Sequence, residues 1–218
     1  MSEFAAHSYR PDPHVSAAGK RAVTYIVRGE LAYLFFVIVS VALHPGFVLT
    51  SNEGGMSNYG LHIKTAVPYT LALALLALYS QRAAMAYANG DRRVRRLGLV
   101  LTSYSAVLLL ILLSSYIYSL DVGLKDVHFA LGTVLVVLVG AASLWMFRAW
   151  PLSATSSLLL LVQLAGDSLA LLTAVGDLHL LFLAEMLANL GFAGLLIRTS
   201  RQIARQSRQE PLPYDAGP

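Results

Sequence analysis

The chain contains no cysteine. That excludes disulfides, thiolate metal ligands, cysteine nucleophiles and cysteine-held iron–sulfur clusters. Charge is scarce too: Asp, Glu, Lys and Arg make up 13% of the 218 residues, about half the share of a soluble domain. The first 30 residues lack the apolar run of a cleaved signal peptide, so the first span is expected to act as its own insertion signal. What fills the chain instead is apolar, at 56% hydrophobic residues and a mean hydropathy of +0.62. This is the composition of a polytopic membrane protein, and the fold class that follows is an all-α transmembrane bundle.

Runs of about 20 apolar residues cross the hydrocarbon as helices. They fall near 31–50, 66–86, 97–119, 128–147, 154–174 and 178–197. The expected organisation is a cytoplasmic tail over 1–30, a six-helix domain over 31–197 and a second cytoplasmic tail over 198–218. His44-Pro45-Gly46 should end or bend the first helix, because proline has no N–H to donate. All 16 basic residues except Lys64 and Lys125 lie in or beside the N-terminal segment, the loop "YANGDRRVRRLG", the 148–153 turn and the tail "RTSRQIARQSRQ". The positive-inside rule then places both termini in the cytoplasm, in the inner or plasma membrane. Topology and anionic headgroups account for the basic pI near 9.4, and nucleic acid is not an expected partner.

With that orientation, "SNEGGMSNYGLHIK" (51–64), "DVGLKDVH" (121–128) and "GDLH" (176–179) face outward. His44, His62, His128 and His179 gather there, with Glu53, Asp121, Asp126 and Asp177. Imidazole and carboxylate together suit zinc or a similar divalent ion, and His62, His128, Asp126 and His179 are the candidate ligands. The competing reading makes Asp126 and Asp177 helix N-caps. Haem is not expected, since an electron carrier resembling cytochrome b561 needs paired histidines at both faces of the membrane.

Inside the spans, "LLLLVQLAGDSLALLTAV" carries Gln163 and Asp167 one turn apart. The next span, "LHLLFLAEMLANLGFAGLLI", carries Glu185 and Asn189 one turn apart. Asp167 and Glu185 are equidistant from Gly176 in the connecting turn, as are Gln163 and Asn189. Equal counts along helices of equal rise put each pair at one depth, with the carboxylates roughly 10 Å below the outer helix ends. An acid at that depth faces a cavity, a partner or the bundle interior. Two such acids form either a proton- or cation-linked site or, with Gln and Asn, a hydrogen-bonded seam between the helices. Small residues in "GAASLW" and "GFAGLL" favour close helix packing.

Gly54, Gly55 and Gly60 let the outer loop turn sharply and aim backbone N–H groups at an anion. Ser57, Asn58, Tyr59 and His62 add donors that suit a phosphate or a sugar-like headgroup, and the loop's length beside its neighbours favours a role of its own.

The order of a first span, a polar loop with "GGMSNYG", a proline soon after in "TAVPYT" and an outer histidine in "DVHFALGTVLVVL" resembles a group of six-helix membrane proteins. That group includes the damage-regulated autophagy modulators, the GPI-anchor lipid-remodelling proteins and bacterial relatives. Ser57 and His128 are the positions that match, while the proline- and serine-richer loop of the eukaryotic members is not reproduced. The resemblance implies a lipid-related role.

The leading expectation is therefore an outward-facing polar pocket that binds, remodels or hydrolyses a lipid. Asp167, Glu185 and His128 are its chemical groups, and Glu53, Ser57, Asn58, Tyr59, His62, Gln163 and Asn189 its binding groups. A hydrolase would activate water through a metal or a His–carboxylate pair. The alternatives are a proton- or cation-coupled transporter built on Asp167 and Glu185, or a scaffold subunit in a homo-oligomer or larger membrane complex.

Overall fold

The structure, a computed structural model, describes residues 13–46, 55–117, 122–150, 153–175 and 180–206. Among these it is all-α. Six long helices are α1 (Pro13–Leu43), α3 (Ala66–Ala86), α4 (Arg92–Ser115), α5 (Val122–Ala149), α6 (Ala154–Val175) and α7 (Leu181–Gln206). Between α1 and α3 lie a 3-10 turn (Gly55–Ser57) and the short helix α2 (Asn58–Leu61).

Five of the long helices, α1 and α4 to α7, are long and apolar enough to cross a membrane. Helix α3 has the length but not the hydropathy. Gln81 and Arg82 sit near its end, and its tyrosines and serine dilute the leucines. It makes up for this by burial, packing against both α1 and α4.

The six helices form a closed ring in chain order, each touching the next and α7 returning to α1. The ring is uneven: α1–α3 and α6–α7 pack extensively, whereas α5 touches α6 and α7 at few places. Glycines set the tight seams. A Cβ on Gly19 would lie 2.8 Å from the Ala204 backbone N, so the start of α1 and the end of α7 are in backbone contact. A Cβ on Gly191 would lie 2.6 Å from the Gln163 backbone, and one on Gly166 would lie 2.4 Å from the Ala188 N. These small residues do what "GFAGLL" suggested, letting two backbones meet where side chains would hold them apart.

Each helix turns a mixed face inward and an apolar face outward. On α1, Ala22, Ile26, Tyr33, Val37 and Ser40 are buried, while Leu31, Phe35 and Ile38 are about 60% exposed. The same outward leucines and valines recur on α4 (Leu99, Leu113), α5 (Val137) and α6 (Leu158, Leu161). An apolar surface all round the ring is what a bundle in hydrocarbon presents, and is far more than a water-soluble monomer exposes.

Several boundaries differ from the sequence reading, among them the last helix, which runs on to Gln206 through part of the segment read as a tail. Helix α1 begins at Pro13, so much of the segment read as a tail is helical and continuous with the first span. Helix α4 begins at Arg92, where Asp91 caps it by accepting from the Arg93 and Val94 N–H groups, both at 2.8 Å. Helix α5 begins at Val122, so Asp126 lies in its second turn, exposed, and is not an N-cap. The end of α1 at Leu43 matches the break expected from His44-Pro45-Gly46. One end of the ring gathers the start of α1, the end of α7 and the α3–α4 turn, where the Tyr87 hydroxyl donates to Ser200 Oγ at 2.6 Å.

Candidate functional site

The loop between α1 and α3 is stitched into the bundle by polar contacts at Met56 and Ser57. Gly55 has φ +52°, a left-handed conformation that costs any other residue, and it turns the chain inward. The next N–H, of Met56, donates to Glu185 Oε2 at 2.7 Å. The glycine-rich loop therefore does aim a backbone N–H at an acidic group, but that group is the protein's own carboxyl on α7. The Tyr33 hydroxyl on α1 reaches the Met56 sulfur at 3.1 Å from the other side.

Ser57 supplies the second contact. Its hydroxyl lies 2.9 Å from His128 Nε2 on α5, and His128 Nδ1 lies 2.8 Å from Ser114 Oγ on α4. A neutral imidazole donates from one nitrogen and accepts at the other, so the two serine hydroxyls complement either tautomer. One residue along, Ser115 Oγ pairs with the Tyr69 hydroxyl at 2.8 Å. Ser114 and Ser115 thus tie α4 to α5 and α3 in a buried polar layer beneath the loop. Thr65, fully buried, closes the loop by donating to the Tyr59 carbonyl at 2.7 Å.

In the α6–α7 hairpin, Gly166 against Ala188 and Gly191 against Gln163 place the mirror point of the pairing at position 177, one beyond the position expected. This register puts Gln163 opposite Gly191 and Asp167 opposite Leu187, each two residues from the pairing expected with Asn189 and Glu185. The two acids do not hydrogen-bond to each other. Glu185 holds the loop, whereas Asp167 Oδ2 accepts from Gln163 Nε2 at 3.4 Å, and Gln163 Oε1 accepts from Ser143 at 2.7 Å. Asp167 is only 7% exposed, and its Oδ1 has no hydrogen-bond partner among the described residues. Asn189 works elsewhere: its amide donates to Glu30 Oε2 at 2.8 Å and its carbonyl accepts from Tyr104 at 3.1 Å.

Glu30 is the functional-looking group that the sequence reading missed, because the boundary drawn at residue 30 assigned it to a tail. Its signal was the helical stripe Ala22, Ile26, Glu30, Tyr33 and Val37, which runs through it without a break in period.

These groups surround a cavity of about 570 Å³ whose wall draws on all six long helices. Leu73, Leu76, Leu108, Val136, Val139 and Phe192 form an apolar body. Tyr33, Tyr69, Tyr104, His128, Asp167 and Glu185 supply the polar positions, and Met56 adds the loop's contribution. The void falls where α5 stands off from α6 and α7. Gly132 on α5 faces open space, with nothing within 4 Å of where a Cβ would be.

Of the four expected metal ligands, His62, His128 and Asp126 are among the described residues. Among the described residues, no group of three His, Asp or Glu side chains is placed to hold an ion. His62 stacks edge-on against His44 at 4.4 Å between ring centroids, and His128 is engaged by two serines. Asp126 is two residues from His128 on one helix, which turns their side chains about 200° apart. His179, Glu53, Asp121 and Asp177 lie outside the described residues. Of the loop residues proposed as headgroup donors, Ser57 and Tyr59 are buried in the loop's own packing. Asn58 and His62 are partly exposed beside them.

No family model, curated protein or solved structure matches this chain. The class it belongs to is therefore defined by its own geometry: an all-helical ring with the apolar exterior of an integral membrane protein and a partly open amphiphilic cavity.

Proposed function

We propose that this is an integral membrane protein of six spans, with both termini in the cytoplasm, whose outward-facing cavity binds a lipid or lipid-like amphiphile. The observation that carries the reading is the cavity itself. About 570 Å³ is ample for a drug-sized amphiphile or part of a lipid, and the wall is mostly apolar with a few convergent polar groups. Those polar groups lie beneath the loop that joins α1 to α3. Helix α3 counts as the sixth span because it is 21 residues long and packs along two helices that are apolar enough to cross. The orientation rests on the ring end that gathers the start of α1, the α3–α4 turn and the end of α7, since the basic runs lie at that end. The resemblance to lipid-remodelling proteins through Ser57 and His128 points the same way.

The test is a native mass spectrum of the detergent-purified chain beside a Gly132→Leu variant. The wild type is expected to carry a lipid-mass adduct. The leucine, built into open cavity space, should expel it while leaving the melting temperature unchanged or raised. A wild-type chain that carries no adduct and acquires none from added lipid removes the reading.

The Ser57–His128 hydrogen bond favours a second reading, in which His128 takes the Ser57 proton and the serine attacks a lipid ester. Covalent labelling of Ser57 by a lipophilic fluorophosphonate, lost in His128→Gln, would establish it. Labelling that is absent from the wild type leaves binding alone.

A further inference from the structure

We propose that the cavity ligand is an amphiphilic amine, an apolar body carrying one ammonium group that is seated against Asp167. This rests on the lipid-binding reading and names the chemistry of its ligand.

The argument begins with Asp167. A carboxylate offers about four acceptor positions. Here one oxygen receives a single long bond from Gln163, and the other, Oδ1, has no partner although the residue is only 7% exposed and lines the cavity. Buried acceptors are satisfied in folded proteins, so an acceptor left without a donor on a residue that lines a cavity marks where a ligand donor belongs.

The surroundings specify the sign of that donor. Glu185 lines the same cavity one helix away, and Glu30 stands behind Asn189. Among the described residues, none of the three carboxylates is bonded to a lysine or arginine. Their partners are the Gln163 amide, the Met56 N–H and the Asn189 amide. Of the lysines and arginines described, Lys125 alone joins the cavity wall, and it lies over the Phe129 ring at 5.6 Å from the centroid. Three acids with only neutral donors leave the interior without a compensating cation, which disfavours a fatty acid or phosphate and suits a cation. The tyrosine rings of the wall are a further surface that favours ammonium over neutral groups. A small inorganic cation would leave the apolar body of the cavity unused. A long-chain amine fills both parts.

The experiment uses the full chain in a nonionic detergent, titrated by calorimetry with dodecylamine, dodecanol and dodecanoate, which share one tail and differ in charge. Sphingosine is the fourth probe. Dodecylamine is expected to bind about tenfold or more tighter than dodecanol, with dodecanoate weakest. In Asp167→Asn, which keeps the shape of the side chain, the preference should fall to about threefold or less while dodecanol binding is retained. Sphingosine binding above dodecylamine identifies a membrane lipid as the source of the amine, and the reverse order a soluble amphiphile. The wild-type probe series stands even if Asp167→Asn does not fold. Equal binding of amine and alcohol, or tighter binding of dodecanoate, overturns the amine inference and leaves a lipid-binding cavity. Binding of none of the four probes overturns both.

Discussion

Gly55 and Glu185 are packed so closely that a Cβ on the glycine would lie 2.5 Å from one carboxylate oxygen and 2.6 Å from the other. The same carboxylate receives the Met56 N–H. One acid on the last helix thus fixes the conformation of a loop far earlier in the chain, and only glycine leaves room for it. Gly55→Ala should cost about 1–2 kcal/mol from the left-handed backbone alone, and more from the clash. Thermal unfolding in detergent should show the loss shrinking, but not vanishing, when the clash is relieved in a Glu185→Ala background. An equal loss in both backgrounds would separate the two residues.

Ser57, His128 and Ser114 should act as one unit. Replacing Ser57 or Ser114 by alanine leaves a buried imidazole nitrogen without its partner, at a cost of about 1–3 kcal/mol. In a double-mutant cycle, Ser57→Ala with His128→Phe should cost clearly less than the sum of the two single changes. Strict additivity would show that the hydrogen bond contributes nothing to the fold.

Two glycines on different helices should answer oppositely to the same change. Gly191→Ala drives a methyl into the Gln163 backbone and should destabilise by about 1–3 kcal/mol, as overpacking does. Gly132→Ala meets nothing within 4 Å and replaces a poor helix former, so it should be neutral or stabilising by up to about 1 kcal/mol. Melting temperatures of the two variants decide this directly.

The absence of native cysteine makes topology easy to read by labelling. Asp126 and Asn89 are both exposed and lie at opposite ends of the ring. In intact cells an impermeant maleimide should label Asp126→Cys but not Asn89→Cys, and lysis should expose both. The inverse pattern would turn the protein over in the membrane.

Asp91 caps α4 with two backbone hydrogen bonds. Asp91→Ala should cost about 0.5–2 kcal/mol, and Asp91→Ser less than half of that, as judged by unfolding midpoints.

Much of this protein was legible in the chain because hydrophobic length and charge placement act locally. A run such as "LLLLVQLAGDSLALLTAV", from Leu158 to Val175, names its helix without reference to any other part. The residue counts on either side of Gly176 set the relative depths of Gln163, Asp167, Glu185 and Asn189, and the glycine contacts of the α6–α7 hairpin keep that register to within two residues. Composition alone pointed to the all-helical class, since backbone groups in hydrocarbon must be satisfied within the segment.

What only the tertiary structure decided is which polar groups meet. That Met56 rather than a ligand takes Glu185, that Ser57 and Ser114 share His128, and that Glu30 belongs to the bundle all depend on helix rotation and on the α1–α7 contact. Rotation about a helix axis is set by side-chain packing between helices distant in the chain, and no local run of residues encodes it. The cavity is the extreme case. It exists because α5 stands off from its neighbours, a property of six helices together and of none of them singly.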